Sequence, residues 1–164
     1  SKAAFGWNAQ WIGVALAAFG LCMVVVQAAL VGPLIRRFGE RRTAAYGMVM
    51  EVICYTFYGL ATSGFWALVF TPVASLGGVT GPALQAMMTR ATPEDQQGEL
   101  QGINASITAL ASILAPLVMT WIFSYFTSDS APVYLPGAPF LLSATIMVGV
   151  VIVFVAGSRA LRRA

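Results

Sequence analysis

Residues 3–35 carry no charged side chain, and between residues 43 and 89 the sole charge is Glu51. A helix that crosses a bilayer needs about 20 consecutive, mostly apolar residues. Inside the hydrocarbon every backbone N–H and C=O must be bonded within the protein, which favours helices over any open structure. Of the 164 residues, 59% are hydrophobic and 9% are charged, and the mean hydropathy is +0.80. A soluble domain carries about a quarter of its residues charged. The chain therefore reads as an all-α integral membrane protein, a single bundle over residues 1–164 with about five transmembrane helices. The segments that meet the length are about 9–31, 43–63, 66–89, 101–126 and 138–158.

Between the first two runs lies Gly32-Pro33-Leu34-Ile35-Arg36-Arg37-Phe38-Gly39-Glu40-Arg41-Arg42, with four of the nine basic residues in seven positions. Basic residues collect in the cytoplasmic loops of membrane proteins. Arg36, Arg37, Arg41, Arg42, Arg90, Arg159, Arg162 and Arg163 all fall on one side of the expected topology, and Lys2 alone falls on the other. The run is thus expected to be a short cytoplasmic loop, with the carboxyl terminus inside and the amino terminus outside. An exported, uncleaved amino end suggests a further span before Ser1, and hence a piece of a larger protein.

The isoelectric point near 9.2 does not indicate nucleic acid, because the arginines sit at span ends and form no continuous patch. The chain has no His, and its two cysteines, Cys22 and Cys54, lie inside apolar runs far from ligand spacing. They read as small hydrophobes rather than a disulfide or a zinc site. No nucleophile–base pair stands out, so an enzyme is not expected.

Glu51 is the residue most demanding of explanation. It lies eight residues into its span, roughly 12 Å deep at 1.5 Å per residue. A carboxyl group there is costly unless paired, hydrated or protonated, and such groups mark proton or ion pathways. The alternative is a structural hydrogen bond to a neighbouring helix. Gly47, Glu51, Tyr55, Tyr58 and Thr62 recur at spacings of three and four, which puts them on one helical face. That face could line a cavity, or its tyrosines could simply pack in the bundle. A second polar stripe, Gln101, Asn104, Thr108 and Ser112, runs along the fourth span and should face protein or water rather than lipid. It could touch substrate or only join helices. Gln27 is a further polar residue at depth, among apolar neighbours. Helix breakers lie in the third span (Gly77-Gly78-Val79-Thr80-Gly81-Pro82) and in the fourth (Ala115-Pro116). Neighbouring helices can re-satisfy the backbone groups that such breaks release. The mixed-charge segment with Arg90, Glu94, Asp95 and Glu99 reads as a solvated face.

The Gly32–Arg42 run resembles the loop signature of the major facilitator superfamily, a Gly with an Arg five positions on, then Gly and basic residues. The family carries a stronger copy between its second and third helices and a weaker one between the eighth and ninth. Arg36 stands where the stronger copy has Asp, which points to the second. Phe5-Gly6-Trp7-Asn8, Gln27-Ala28, Gly39-Glu40, Pro82-Ala83-Leu84-Gln85 and Gln96-Gln97-Gly98-Glu99-Leu100-Gln101-Gly102 are similar, in that order, to the carboxyl-terminal half of the tetracycline efflux transporters. On this resemblance the five spans are helices 8 to 12, with helix 7 and the amino-terminal half lying outside the chain.

The resemblance implies a proton-coupled antiporter of the bacterial inner membrane. Such a protein exports a small-molecule drug, tetracycline, as a chelate with a divalent cation such as magnesium, in exchange for a proton. Glu51 stands where the family has an essential acid in helix 9, and Gln27 matches a polar position in helix 8. Asn104 and Thr108 rest on the polar stripe alone. Substrate contacts are expected from Gln27, Tyr55, Tyr58, Asn104 and Thr108. Gly32, Arg36, Arg37, Gly39, Arg41 and Arg42 are expected to form a cytoplasmic latch. No cofactor is expected beyond the proton and the substrate's own cation; the expected partners are the drug, the lipid bilayer and the missing amino-terminal half. Other readings are a facilitator for another drug or a sugar, and a membrane subunit or scaffold that does not transport.

Overall fold

Pro82 and its glycines set the shape of the middle of this protein. A continuous helix would need an N–H at residue 82 for the carbonyl four residues earlier, and proline has none. Glycines add further cost to a helix interior. In the computed structural model, which describes residues 9–61, 64–128 and 131–160, the third apolar run is accordingly split. Helix α4, Gly64–Ser75, passes into a 3₁₀ turn at Leu76–Val79, and helix α5, Thr80–Ala91, then resumes with Pro82 in its first turn, where proline is tolerated.

The remaining runs are also helical. Helix α1, Ala9–Val25, widens into a π-helical stretch at Val26–Val31 and continues as α2, Gly32–Phe38. Helix α3 spans Glu40–Leu60, α6 spans Gln97–Phe126 after a 3₁₀ turn at Glu94–Gln96, and α7 spans Ala138–Ala160. No strand occurs among the described residues. Leu16–Phe38, Glu94–Phe126 and Ala138–Ser158 are long and apolar enough to cross a membrane. Lys2, the Phe5–Asn8 string, Thr62, Ser63, Asp129, Arg162 and Arg163 lie outside the described residues.

The basic run, expected as a short loop over residues 32–42, is helical on both sides of a single residue. Gly32 to Phe38 extend the first helix, and Glu40 to Arg42 open the next. The whole reversal falls on Gly39, at φ 79° and ψ 158°, a conformation that glycine adopts without strain. Its carbonyl accepts from the Thr43 amide at 3.1 Å and the Thr43 hydroxyl at 2.9 Å, so the corner is bonded on its far side.

Helix α3 is the hub. It packs on α7, on α5 and on the 3₁₀ turn, and its buried residues are small: Thr43, Ala44, Gly47, Cys54 and Gly59, with Met48 the exception. Without a hydrophobic drive between helices in lipid, close approach of small residues supplies the packing. At the end of α3, a Cβ on Gly137 would lie 2.7 Å from the Gly59 carbonyl carbon, so the two backbones touch there. Large apolar side chains point outward instead: Leu21 is 70% exposed, Trp121 69% and Val153 72%. An apolar exterior of this kind suits lipid or a further helical partner. Helix α6 has no buried residue along its length.

Candidate functional site

Glu51 and the glycine-rich turn meet at the centre of the bundle. Gly47 and Glu51 are one helical turn apart on α3, and each faces a different part of the turn. A Cβ on Gly77 would lie 2.6 Å from Cγ of Glu51, and one on Gly47 would lie 2.9 Å from the Thr80 amide nitrogen. The acid therefore seats on a glycine of the turn, and Thr80 seats on a glycine of α3. On the other side of the turn a Cβ on Gly78 would lie 2.6 Å from the sulfur of Met23. The turn is pinned between α1 and α3 by two residues that have no side chain to displace their neighbours.

The Glu51 side chain is half-buried. Thr80 is buried at 7% exposure. Its hydroxyl donates to the Gly77 carbonyl at 2.9 Å, and the same carbonyl accepts from the Thr80 amide. Tyr55 lies one turn beyond Glu51 and is half-buried. No other charged side chain belongs to the turn, to α5 before Arg90, or to α7 before Arg159.

The other expected site residues are spread along the bundle. Gln27 falls in the π-helical stretch, exposed, on a shallow open groove with Met23, Val24 and Ala28. Single π turns inside helices occur often at functional sites. Tyr58 is part of an aromatic cluster at the far end of α3: its ring lies 5.7 Å from that of Phe140 and 6.2 Å from that of Phe70, which stacks on Phe57 at 4.1 Å. Its hydroxyl is 3.5 Å from that of Thr71. Asn104 donates to the Gln85 side chain at 3.2 Å, a bond from α6 to α5. Thr108 is exposed, and its backbone carbonyl accepts from Ser112 at 2.8 Å.

At the Gly39 corner, Arg36, Arg37 and Arg42 are exposed, whereas Arg41 is half-buried. One guanidinium nitrogen of Arg41 is buried with no hydrogen-bond partner among the described residues. The acid of this run is the residue in an ion pair: Glu40, 12% exposed, meets Arg90 at 2.9 Å. Arg90 was expected on a solvated face, and at 77% exposure most of its side chain is there, yet it ties the end of α5 to the start of α3.

Sequence reasoning missed Thr80, Met23 and the Glu40–Arg90 pair. For Thr80 a signal was present, a hydroxyl inside the Gly77–Pro82 string, read there only as part of a breaker. Both Cys22 and Cys54 are free thiols. Among the described residues no group of three or more His, Cys, Asp and Glu side chains is placed to hold a metal ion.

Comparison with known proteins fits this architecture. Residues 2–163 match the profile of the Major Facilitator Superfamily. Over 120 residues the chain is 40% identical to the class C tetracycline resistance protein of Escherichia coli, a match covering 73% of this chain and 30% of that protein. The class G tetracycline resistance protein of Vibrio anguillarum is also 40% identical, over the same shares. Hippocampus abundant transcript-like protein 1 of Homo sapiens is 28% identical over 156 residues, covering 87% of this chain and 31% of that protein. The chain thus spans about 30% of the length of these curated relatives. No solved structure matches.

Proposed function

Because the chain belongs to the Major Facilitator Superfamily, we propose that it is the carboxyl-terminal part of a proton-coupled drug efflux antiporter. The proposed protein sits in the bacterial inner membrane with its carboxyl terminus in the cytoplasm. It exports tetracycline as a divalent-metal chelate in exchange for a proton. The observation that carries this reading is Glu51, a carboxyl group at the middle of the hub helix, seated on a glycine break. The tetracycline resistance proteins among its relatives supply the cargo.

In this reading two helical halves rock around a site near the bilayer midplane, each supplying one wall. Glu51 takes a proton from outside and releases it inside, and its charge state biases the halves toward one opening or the other. Gln27, Tyr55, Tyr58, Asn104 and Thr108 are the polar positions on this side of the path. The Gly39 corner, where one Arg41 nitrogen has no hydrogen-bond partner among the described residues, is the cytoplasmic latch. A second reading is a facilitator for another drug or a sugar, since not every relative that the chain matches is a tetracycline resistance protein.

Glu51→Gln in the intact transporter is expected to abolish proton-driven tetracycline uptake into inverted vesicles while the protein still inserts and folds. Wild-type uptake by that variant overturns the reading. Loss of proton-driven uptake with another drug or a sugar as cargo, and no response to tetracycline, supports the second reading.

A further inference from the structure

Beyond Glu51, helices α3 and α4 meet through polar side chains. The two run antiparallel in one register. Gly77 sits against Glu51, the Phe70 ring stacks on that of Phe57 at 4.1 Å, and the hydroxyls of Thr71 and Tyr58 are 3.5 Å apart. On α3, Glu51, Tyr55 and Tyr58 follow at spacings of four and three, so they share a face. On α4, Thr71 and Ser75 are one turn apart and share a face in the same way. The register is held at one end by Gly77 and Glu51 and at the other by Thr71 and Tyr58. Tyr55 and Ser75 therefore lie between those ends, one on each helix. Thr71 is 6% exposed and Ser75 1%, on a helix that is otherwise apolar. Ser75 donates to the Pro72 carbonyl at 2.7 Å, a local bond common for serine in helices, and its lone pairs can still accept. Thr71 instead turns its hydroxyl across the helix interface to Tyr58.

We propose that these hydroxyls form the outer proton path to Glu51, entered at the Tyr58–Thr71 pair and continued by Ser75 and Tyr55. This rests on the reading of Glu51 as the proton-coupling group. Tyr58 lies two residues from the end of α3 that is remote from the Gly39 corner, which is the outer end in the proposed orientation. From there to Glu51 is seven residues, about 10 Å along the helix. The rings of Phe57, Phe70 and Phe140 pack around Tyr58, so the hydroxyl pair is the polar opening in an apolar collar. A hydroxyl can take a proton on a lone pair and pass its own proton onward. Each hydroxyl is left neutral and unchanged, water carries the proton across gaps longer than a hydrogen bond, and the proton ends on the Glu51 carboxylate. Only O–H bonds are exchanged, and nothing is oxidised or reduced. Besides the two tyrosines, the titratable groups on the surrounding elements are Cys54 on α3 and Cys22 on α1. Helix α4, the 3₁₀ turn, α5 before Arg90 and α7 before Arg159 carry no charged group, so Glu51 is the one carboxylate at the inner end.

The test compares two assays on the intact transporter in inverted vesicles: proton-driven tetracycline uptake, and exchange of labelled for unlabelled tetracycline with no proton gradient. Wild type, Thr71→Val, Thr71→Ser, Ser75→Ala and Glu51→Gln are measured in both. Valine keeps the shape of threonine and removes the hydroxyl. Thr71→Val should slow proton-driven uptake about fivefold, the factor given by the net worth of one hydrogen bond, with the KM for drug and the gradient-free exchange unchanged. Ser75→Ala should act in the same direction, and Thr71→Ser should restore the wild-type rate. Wild-type uptake by Thr71→Val and Ser75→Ala, while Glu51→Gln is inactive, overturns the path and leaves the role of Glu51 standing. An equal loss in both assays also overturns it, because a packing defect slows exchange as much as uptake. Wild-type uptake by Glu51→Gln overturns the reading beneath it. If Thr71→Val does not fold, Thr71→Ala carries the same expectation against Thr71→Ser, and equal rates for those two overturn the proposal.

Discussion

Replacing Gly47 by alanine puts the central packing to a direct test. The added Cβ would stand 2.9 Å from the Thr80 amide nitrogen and 2.9 Å from a methyl carbon of Val79, and nearer still to the Thr80 hydroxyl. Comfortable carbon contacts lie at about 3.5–4.0 Å, so α3 and the 3₁₀ turn would have to part by roughly 0.6–1 Å. The Thr80 side chain can rotate away, but its backbone nitrogen moves only with the turn. Forcing one methyl group into a packed interior costs typically about 1–3 kcal/mol. The sign is telling, because alanine normally improves on glycine in a helix by about 1 kcal/mol. Gly149, on the exposed side of α7 with nothing within 4 Å of a built Cβ, is the control for that ordinary gain. Thermal unfolding of the intact protein in detergent should therefore place Gly47→Ala below wild type and Gly149→Ala at or above it. Gly47→Ala should also lose drug transport, since the displacement moves the turn on which Glu51 is seated. A Gly47→Ala protein that melts with Gly149→Ala would refute the argument, for the turn would then not rest on α3.

Two further outcomes follow from the contacts between helices. Asn104→Leu removes the bond to Gln85; interhelical polar bonds in membranes average about 0.6 kcal/mol and reach about 1.7. The expected result is a stability loss in that range together with a rise in the KM for drug, since Asn104 is also proposed to line the path; a stability loss with the KM unchanged would leave it as a helix-joining residue only. Arg90→Glu opposes Glu40 in place of pairing with it. Because Arg90 is 77% exposed, breaking the attraction should cost no more than about 1 kcal/mol, and the double exchange Glu40→Arg with Arg90→Glu should recover it. Thermal melts at low and high salt distinguish this from a packing effect, and a double exchange no better than either single variant counts against the pair.

Residues 3–35 and 43–89 determined by themselves that the chain lives in a membrane and is built of helices, because a run without charge can satisfy its backbone there in no simpler way. Pro82 with the glycines before it determined a break, since the missing N–H is a local fact. Glu51 announced itself as the one charge at depth. These readings needed no partner residue. The Gly39 corner shows where local information stopped: arginine density suggested a loop, while the chain keeps helical hydrogen bonds on both sides and spends one positive φ on the reversal. The pairs were hidden altogether. Thr80 reaches Gly47 across 33 positions of sequence, Arg90 reaches Glu40 across 50, and Asn104 reaches Gln85 across 19. Each pair depends on which faces two helices turn to one another, and at Thr80 that is set by Gly47, which permits the close approach. Only the packed bundle decides it, because a side chain's partner is fixed by the distance between helices and not by its own chemistry.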